Sequence, residues 1–226
     1  NVYGDRNLFC ACPPIEDYET LEETVRVESD EKYAATQGGT SSVFEINARW
    51  GDRDPLLKIS DQDLNAGRNI LMQMGLQEND WFVCVHIREG GFSPSDEHFH
   101  GHRSVAIETF LPTIQYIIDQ GGKCIRMGDA TMSPAPQIDG LIDYALSPYK
   151  SDFMDVFLCS ECLFFLGSNS GLFLISTVFG TPVALSNMAP ITSLAIGRHD
   201  ISIPMMHSKF DQNVLLSFPE IMDTEI

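Results

Sequence analysis

Residues 162–185 read CLFFLGSNSGLFLISTVFGTPVAL. This is the most apolar stretch of the chain, and it could be mistaken for a membrane span. Gly167-Ser168-Asn169-Ser170-Gly171 and Gly180-Thr181-Pro182 interrupt it. Such punctuation turns a chain back on itself rather than carrying it through a bilayer. The stretch therefore predicts a strand at Leu163–Leu166, a helix at Ser170–Phe179 ended by Gly180, and a strand at Thr181–Leu185.

Working outward, the same alternation holds upstream. Trp81–Ile87 is an apolar run of strand length. Val105–Asp119 places apolar residues at helical spacing despite Pro112, and Gly121-Gly122 stops it. Lys123–Met127 predicts a second strand, Leu141–Ala145 a short third, and Asp152–Cys159 a short helix. Strand and helix in repeated alternation with short loops is the signature of an α/β doubly wound parallel sheet. The same pattern opens with a helix at Ser60-Asp61-Gln62-Asp63, where a hydroxyl cap precedes acid in the first turn. Leu64, Ile70, Leu71 and Met74 form its apolar stripe, and Gly75 stops it. Residues 1–60 are acidic and irregular, with one strand expected at Val43–Ala48. They are read as an N-terminal segment, an incomplete domain or an appendage, and residues 61–226 as the sheet domain.

Charge narrows the function. Fourteen Lys and Arg against 32 Asp and Glu give a net charge of −18. Nucleic acid and anionic membrane surfaces are disfavoured as partners, because both need a basic footprint. An anion can still be bound by a few placed arginines and backbone N–H groups. The six cysteines are Cys10, Cys12, Cys84, Cys124, Cys159 and Cys162. Cys84 and Cys124 fall inside strand-like runs, so the thiols are read as reduced core residues rather than disulfides or a zinc site. The chain starts at Asn1 without a basic region and apolar stretch, so neither signal peptide nor transmembrane segment is expected, and the protein reads as cytoplasmic.

Chemistry in a parallel sheet sits in the loops at the carboxyl ends of its strands. The first strand ends in His86-Ile87-Arg88-Glu89-Gly90-Gly91. Period two puts His86 and Arg88 on one side, and the Arg88 fork suits either a phosphate or a neighbouring carboxylate. The following loop, Gly90–Arg103, is long and holds Asp96, Glu97, His98, His100, His102 and Arg103. Its composition suits a mobile lid better than a metal site, and one of its groups could serve as general base. The second strand ends in Arg126-Met127-Gly128-Asp129, where Asp129 can meet a ribose or base, or cap the turn. Gly167–Gly171, with Ser168, Asn169 and Ser170, offers small residues, hydroxyls and N–H groups at a helix start, an anion site or an ordinary cap. It is no P-loop, since no Lys follows.

Together these segments resemble the nucleotide-sugar-binding, Rossmann-like half of GT-B type glycosyltransferases. His86 and Arg88 are similar to the H-x-R strand end of fucosyltransferases that use GDP-fucose. Asp155-Val156-Phe157-Leu158, the Phe164–Gly171 run, Phe179-Gly180-Thr181-Pro182 and Asn187-Met188-Ala189-Pro190 resemble a bacterial glycosyltransferase family; the likeness runs from about Trp81 to Pro190. The resemblance implies that Arg88 contacts the donor phosphates, that Asp129 contacts base or ribose, and that Ser168, Ser170 and Gly171 line the diphosphate. His86, Asn169 and Arg103 complete the expected donor-binding set, and a contact from Asn187 is a further guess.

The expected reaction moves a sugar, of hexosyl or fucosyl type, from a nucleoside diphosphate to an acceptor hydroxyl. A GDP-sugar is the favoured donor. The acceptor would be a glycan, a lipid-linked or a small molecule. Arg88 and the helix start would meet the charge on the leaving diphosphate, with no metal and no cofactor. Arg88, Glu89, Asp96 and His98 are the expected catalytic residues. The alternatives are a non-catalytic nucleotide-sugar or carbohydrate-binding module, and an epimerase or hydrolase on the same fold.

Overall fold

The computed structural model describes residues 24–26, 32–34, 53–55, 57–92, 97–189, 197, 199–208 and 214–222. The chain divides into two units, residues 1–53 and 54–226. In the first, β1 (Thr24–Arg26) pairs antiparallel with β2 (Lys32–Ala34), Thr24 opposite Ala34. The strand expected at Val43–Ala48 lies outside the described residues.

The second unit begins with α1 (Asp61–Gln73). Ser60 caps it: its Oγ accepts the backbone N–H of Asp63 at 3.2 Å. Asp61 and Asp63 in the first turn complement the positive helix end. Gly75, at φ +101°, turns the chain out of the helix. The elements that follow are β3 (Phe82–His86), α2 (Glu97–His100), α3 (Leu111–Asp119), β4 (Lys123–Arg126) and β5 (Leu141–Ile142). Then come α4 (Asp152–Glu161), β6 (Phe165–Gly167), α5 (Phe173–Phe179), β7 (Val183–Met188), β8 (Ile201–Pro204) and α6 (Phe218–Met222).

β3 to β8 form one parallel sheet in the order β5-β4-β3-β6-β7-β8. Both faces of its central strands are buried. Phe82 and Cys84 of β3 join the cluster that includes Phe157, Leu158, Phe165 and Phe173, while Val83, Val85 and Ile87 join the cluster with Ile114 and Ile117 of α3. Burial on two faces by helices is what permits an all-parallel sheet. The fold is an α/β doubly wound parallel sheet of Rossmann type.

Several elements differ from the sequence expectation. Val105–Asp119 is a 3-10 turn at Ile107–Thr109 followed by α3, because Pro112 lacks an N–H and is accommodated only in a first helical turn. Leu141–Ala145 shortens to two strand residues: Asp143 leaves the ladder for the Arg126 guanidinium, and Tyr144 is buried with its hydroxyl donating to Asp155 at 2.9 Å. The strand expected to end at Leu185 runs on through Asn187 and Met188 as β7. Asn187 has φ 57°, and the register with β8 shifts between Leu185 and Met188. β8 was not anticipated. It sits at the sheet edge with Ile201 and Ile203 exposed, and Pro204 ends it where no ladder donor is required.

Cys84, Cys124, Cys159 and Cys162 are free and buried; Cys10 and Cys12 lie outside the described residues. Burial pushes the Cys124 thiol up to about 12 and Cys84 well above its ordinary value, the latter aided by neighbouring Cys159 and Cys162. The unfolded thiols ionise near 9, so the stability these groups contribute is present below that pH and is lost as pH rises toward the folded-state values. Iodoacetamide at pH 8.5, a condition of order the free thiol pKa, is expected to leave Cys84 and Cys124 unmodified in the folded protein and to label both after addition of urea. Rapid labelling without urea would contradict the packing described. Among the described residues no helix is long and apolar enough to cross a membrane.

Candidate functional site

Counted from β3, the sheet order is third, second, first, fourth, fifth, sixth. It reverses between β3 and β6, and the chain leaves those two strands toward opposite sides. Open α/β sheets hold their ligands outside the carboxyl ends of the strands at such a point. His86 pairs in register with Gly167. A Cβ on Gly167 would stand 2.8 Å from the His86 carbonyl oxygen, so glycine is what allows the two strand ends to approach. The Ser168 N–H donates to that carbonyl at 3.0 Å. The Arg88 N–H donates to Ser168 Oγ at 2.9 Å. The two loops singled out in the sequence are thus joined by hydrogen bonds, 80 residues apart along the chain.

The Arg88 side chain turns to its own loop. Nη1 donates to Glu97 Oε2 at 3.3 Å, to the His100 carbonyl at 3.2 Å and to Ser104 Oγ at 2.5 Å. Ser104 Oγ in turn donates to Glu97 Oε1 at 3.0 Å. The side chain is 13% exposed. The carboxylate partner weighed for Arg88 is therefore present, and it is Glu97. His98 and His100 lie on the short α2, and His102 and Arg103 on the 3-10 turn that follows; the His100 and His102 rings meet edge-on at 6.3 Å. Among the described residues no three His, Cys, Asp or Glu side chains are grouped to hold a metal ion. Asp96 lies outside the described residues.

Glu89 is committed elsewhere. Its Oε1 accepts from Arg126 Nη2 at 2.5 Å and its Oε2 from the Ser133 N–H at 2.9 Å. Arg126, 1% exposed, also donates through Nη1 to Asp143 at 3.1 Å and to the Ser133 carbonyl at 2.8 Å. Asp143 Oδ2 accepts the Ala135 N–H at 2.9 Å. One buried guanidinium thus ties the loops after β3, β4 and β5 together. Arg126 was read only as part of a motif; Asp143 and Ser133 were not singled out. Asp129 accepts from the Thr131 N–H at 2.8 Å and from Thr131 Oγ1 at 2.6 Å, the turn-capping role weighed for it. A Cβ on Gly91 would lie 2.7 Å from Thr131 Oγ1, so the β3 loop packs directly on the β4 loop.

His86 Nδ1 lies 3.2 Å from the Met127 carbonyl. A carbonyl only accepts, so Nδ1 carries the proton and Nε2 keeps its lone pair. Burial, the largest influence, lowers the imidazole below its ordinary value, while the Met127 bond opposes that shift. The ring is neutral at physiological pH.

After β6 the helix begins at Phe173, not Ser170. Ser168 and Asn169 are buried; Ser168 serves Arg88, and Asn169 Nδ2 donates to the Ala189 carbonyl. These tertiary bonds hold the backbone in bends before it can enter a helix. Ser170 Oγ accepts the Leu172 N–H at 3.4 Å, and Gly171 is exposed with open space where a Cβ would stand. α5 has seven residues, too short to carry the dipole argument made for it. A cavity of about 660 Å³, lined by Arg68, Asn69, Leu76, Phe82, Phe157 and Glu161 among others, opens at the amino end of β3, the opposite end of the strand from these loops. Burial raises the Glu161 carboxyl there, and Arg68 pulls it back.

No family model matches the chain. Among solved structures, a glycosyl transferase family 9 protein from Veillonella parvula DSM 2008 is similar over 66% of this chain and 42% of its own, with 14% identity and a TM-score of 0.45. The fold assignment rests on the strand order above, not on that likeness. An 18-residue stretch is 89% identical to part of a glycine dehydrogenase (decarboxylating) from Rhodopseudomonas palustris strain BisA53. It is 83% identical to part of the corresponding protein of strain ATCC BAA-98 / CGA009. That stretch is 8% of this chain, which spans about 2% of the length of those curated proteins.

Proposed function

We propose that the protein is a glycosyltransferase that uses a nucleoside-diphosphate sugar, with the diphosphate seated in the crevice between β3 and β6. The observation that carries this reading is the bond from the Arg88 N–H to Ser168 Oγ at the point where the sheet order reverses. It puts a guanidinium-bearing loop and a loop of small, hydroxylated residues at one crevice mouth, where open α/β sheets hold their ligands. Arg88, Ser170 and Gly171 are assigned to the diphosphate. His86, Arg103, Ser168 and Asn169 support it, and Asp129 faces base or ribose. In the reaction the diphosphate gains negative charge as the glycosidic bond to it breaks, and Arg88 is the residue to meet that charge.

Removal of the acceptor proton falls to Asp96 or His98 rather than to Glu89, both of whose oxygens are already accepting. No metal is invoked. A GDP-sugar with a hexosyl or fucosyl group is the preferred donor, because the His86 and Arg88 strand end resembles that of GDP-fucose enzymes.

Calorimetric titration of GDP, UDP and ADP into wild type and Arg88→Ala tests the reading. One of the three should bind wild type, and the substitution should weaken it by about 10- to 100-fold, the worth of a lost charge-assisted bond. Mass spectrometry of donor hydrolysis should show turnover falling about 100-fold or more in the same variant. Absence of heat with all three nucleotides would remove the proposal. Binding without turnover would favour the non-catalytic module.

A further inference from the structure

We infer that Glu97 is an internal anion that occupies the Arg88 guanidinium and must be displaced before a ligand phosphate can bind there; this rests on the function proposed above. The seat of the Glu97 carboxylate is built like an anion site. Oε2 accepts from Arg88 Nη1 at 3.3 Å, and Oε1 accepts from the Ser104 hydroxyl at 3.0 Å. That same hydroxyl accepts from Arg88 at 2.5 Å, so guanidinium, hydroxyl and carboxylate close a ring of three bonds.

Two glycines make the room. A Cβ on Gly90 would lie 2.5 Å from the Glu97 carboxyl carbon and from Oε2, and one on Gly101 would lie 3.0 Å from Oε1. Backbone can approach the carboxylate this closely only because neither residue has a side chain. A guanidinium, a hydroxyl and two side-chain-free backbone segments are also what a phosphoryl group would require. The Glu97 side chain is 36% exposed while the Arg88 side chain is 13% exposed, so the occupant is the more water-accessible member of the pair.

The energetic consequence is a conformational tax. If only a fraction of molecules has Arg88 released, the observed Kd equals the intrinsic Kd divided by that fraction. Every ligand that needs Arg88 pays the same factor. Any change that weakens the Glu97 contact therefore tightens binding, whereas most changes at a binding site weaken it.

The experiment titrates inorganic pyrophosphate and GDP into wild type, Glu97→Gln, Glu97→Asp and the double variant Glu97→Gln/Arg88→Ala, with thermal denaturation of each. Glu97→Gln keeps the shape and removes the charge. It is expected to lower Kd for both probes by about tenfold, of the order set by a partly buried charge-assisted bond. Glu97→Asp, which withdraws the carboxylate by one methylene, is expected to give a smaller gain and decides the matter if the Gln variant fails to fold. The double variant should show no gain. Unchanged or weaker binding by a folded Glu97 variant would overturn the inference while leaving the proposed function standing. Failure of both probes with every folded variant, wild type included, would overturn the inference, and would overturn the proposed function with it if UDP and ADP also gave no heat.

Discussion

Arg126→Met will destabilise the protein by about 3 kcal/mol, the lower part of the 3–5 kcal/mol range for breaking a buried ion pair from one side. The Arg126 side chain is 1% exposed and its guanidinium faces two carboxylates, on the Glu89 and Asp143 side chains, which are 24% and 25% exposed. Methionine fills much of the same volume, so packing changes little. The carboxylates, however, would be left in poorly solvated positions without their cation. The lower figure applies because Arg126 Nε is itself buried without a hydrogen-bond partner among the described residues, so the native arrangement already carries a desolvation cost. Urea denaturation followed by circular dichroism measures the loss. Hydrogen exchange should rise in the segments after β3, β4 and β5 together, because the same side chain holds all three. A loss under about 1 kcal/mol, the worth of an exposed pair, would show that the clamp is not fixed in solution.

Phe157→Ala will cost about 3–5 kcal/mol, the usual range for deleting a buried aromatic ring, and it will reverse the effect of a second substitution. Phe157 is 1% exposed and stacks on Phe153 at 6.2 Å. Its ring lies under Gly67 in the middle of α1; a Cβ on Gly67 would fall 2.2 Å from Phe157 Cδ2. Mid-helix glycine ordinarily lowers stability by about 0.5–1 kcal/mol relative to alanine. Here it is retained because the ring takes the space. Gly67→Ala in the wild type is therefore expected to destabilise by about 1–3 kcal/mol through overpacking. In the Phe157→Ala background the obstacle is gone, and Gly67→Ala should stabilise by roughly 1 kcal/mol through helix propensity. A thermodynamic cycle from four urea titrations checks the sign change. The same sign in both backgrounds would mean that α1 does not rest on the ring.

What the sequence made legible was whatever depends on local pattern and on topology. The apolar runs bounded by glycine placed β3, β4, β6 and β7 to within a few residues, and the Ser60 cap placed the start of α1. That the Arg88 and Ser168 loops lie at one edge followed from the parallel alternation, because carboxyl ends of parallel strands share one edge; that they are neighbours is a matter of strand order, which the local pattern does not carry. β8 escaped notice because Ile201-Ser202-Ile203-Pro204 is a short edge strand whose apolar residues face water, so no buried run announces it. The start of α5 was misplaced because Ser168 and Asn169 look like caps by composition. Their side chains instead answer to Arg88 and Ala189, partners that no local rule reveals. Likewise Glu89 looked like a free base beside Arg88. Its guanidinium is Arg126, 37 residues on. In a chain with more than two acidic residues for each basic one, which carboxylate claims which arginine is a question of packing, not of spacing.

The hydrogen bond between the Arg88 backbone and Ser168 also has a bearing on how the molecule comes into being. The two loops it joins are separated by 80 positions of chain. During synthesis β3, α3 and β4 can assemble on one another as they emerge, since their contacts are local. The joined loop edge cannot exist until β6 arrives and docks beside β3, a late, long-range closure of the kind that slows folding. A nascent chain halted between these strands would hold a folded half-sheet with its Arg88 loop unanchored, so the proposed ligand site is completed only after most of the unit has been translated.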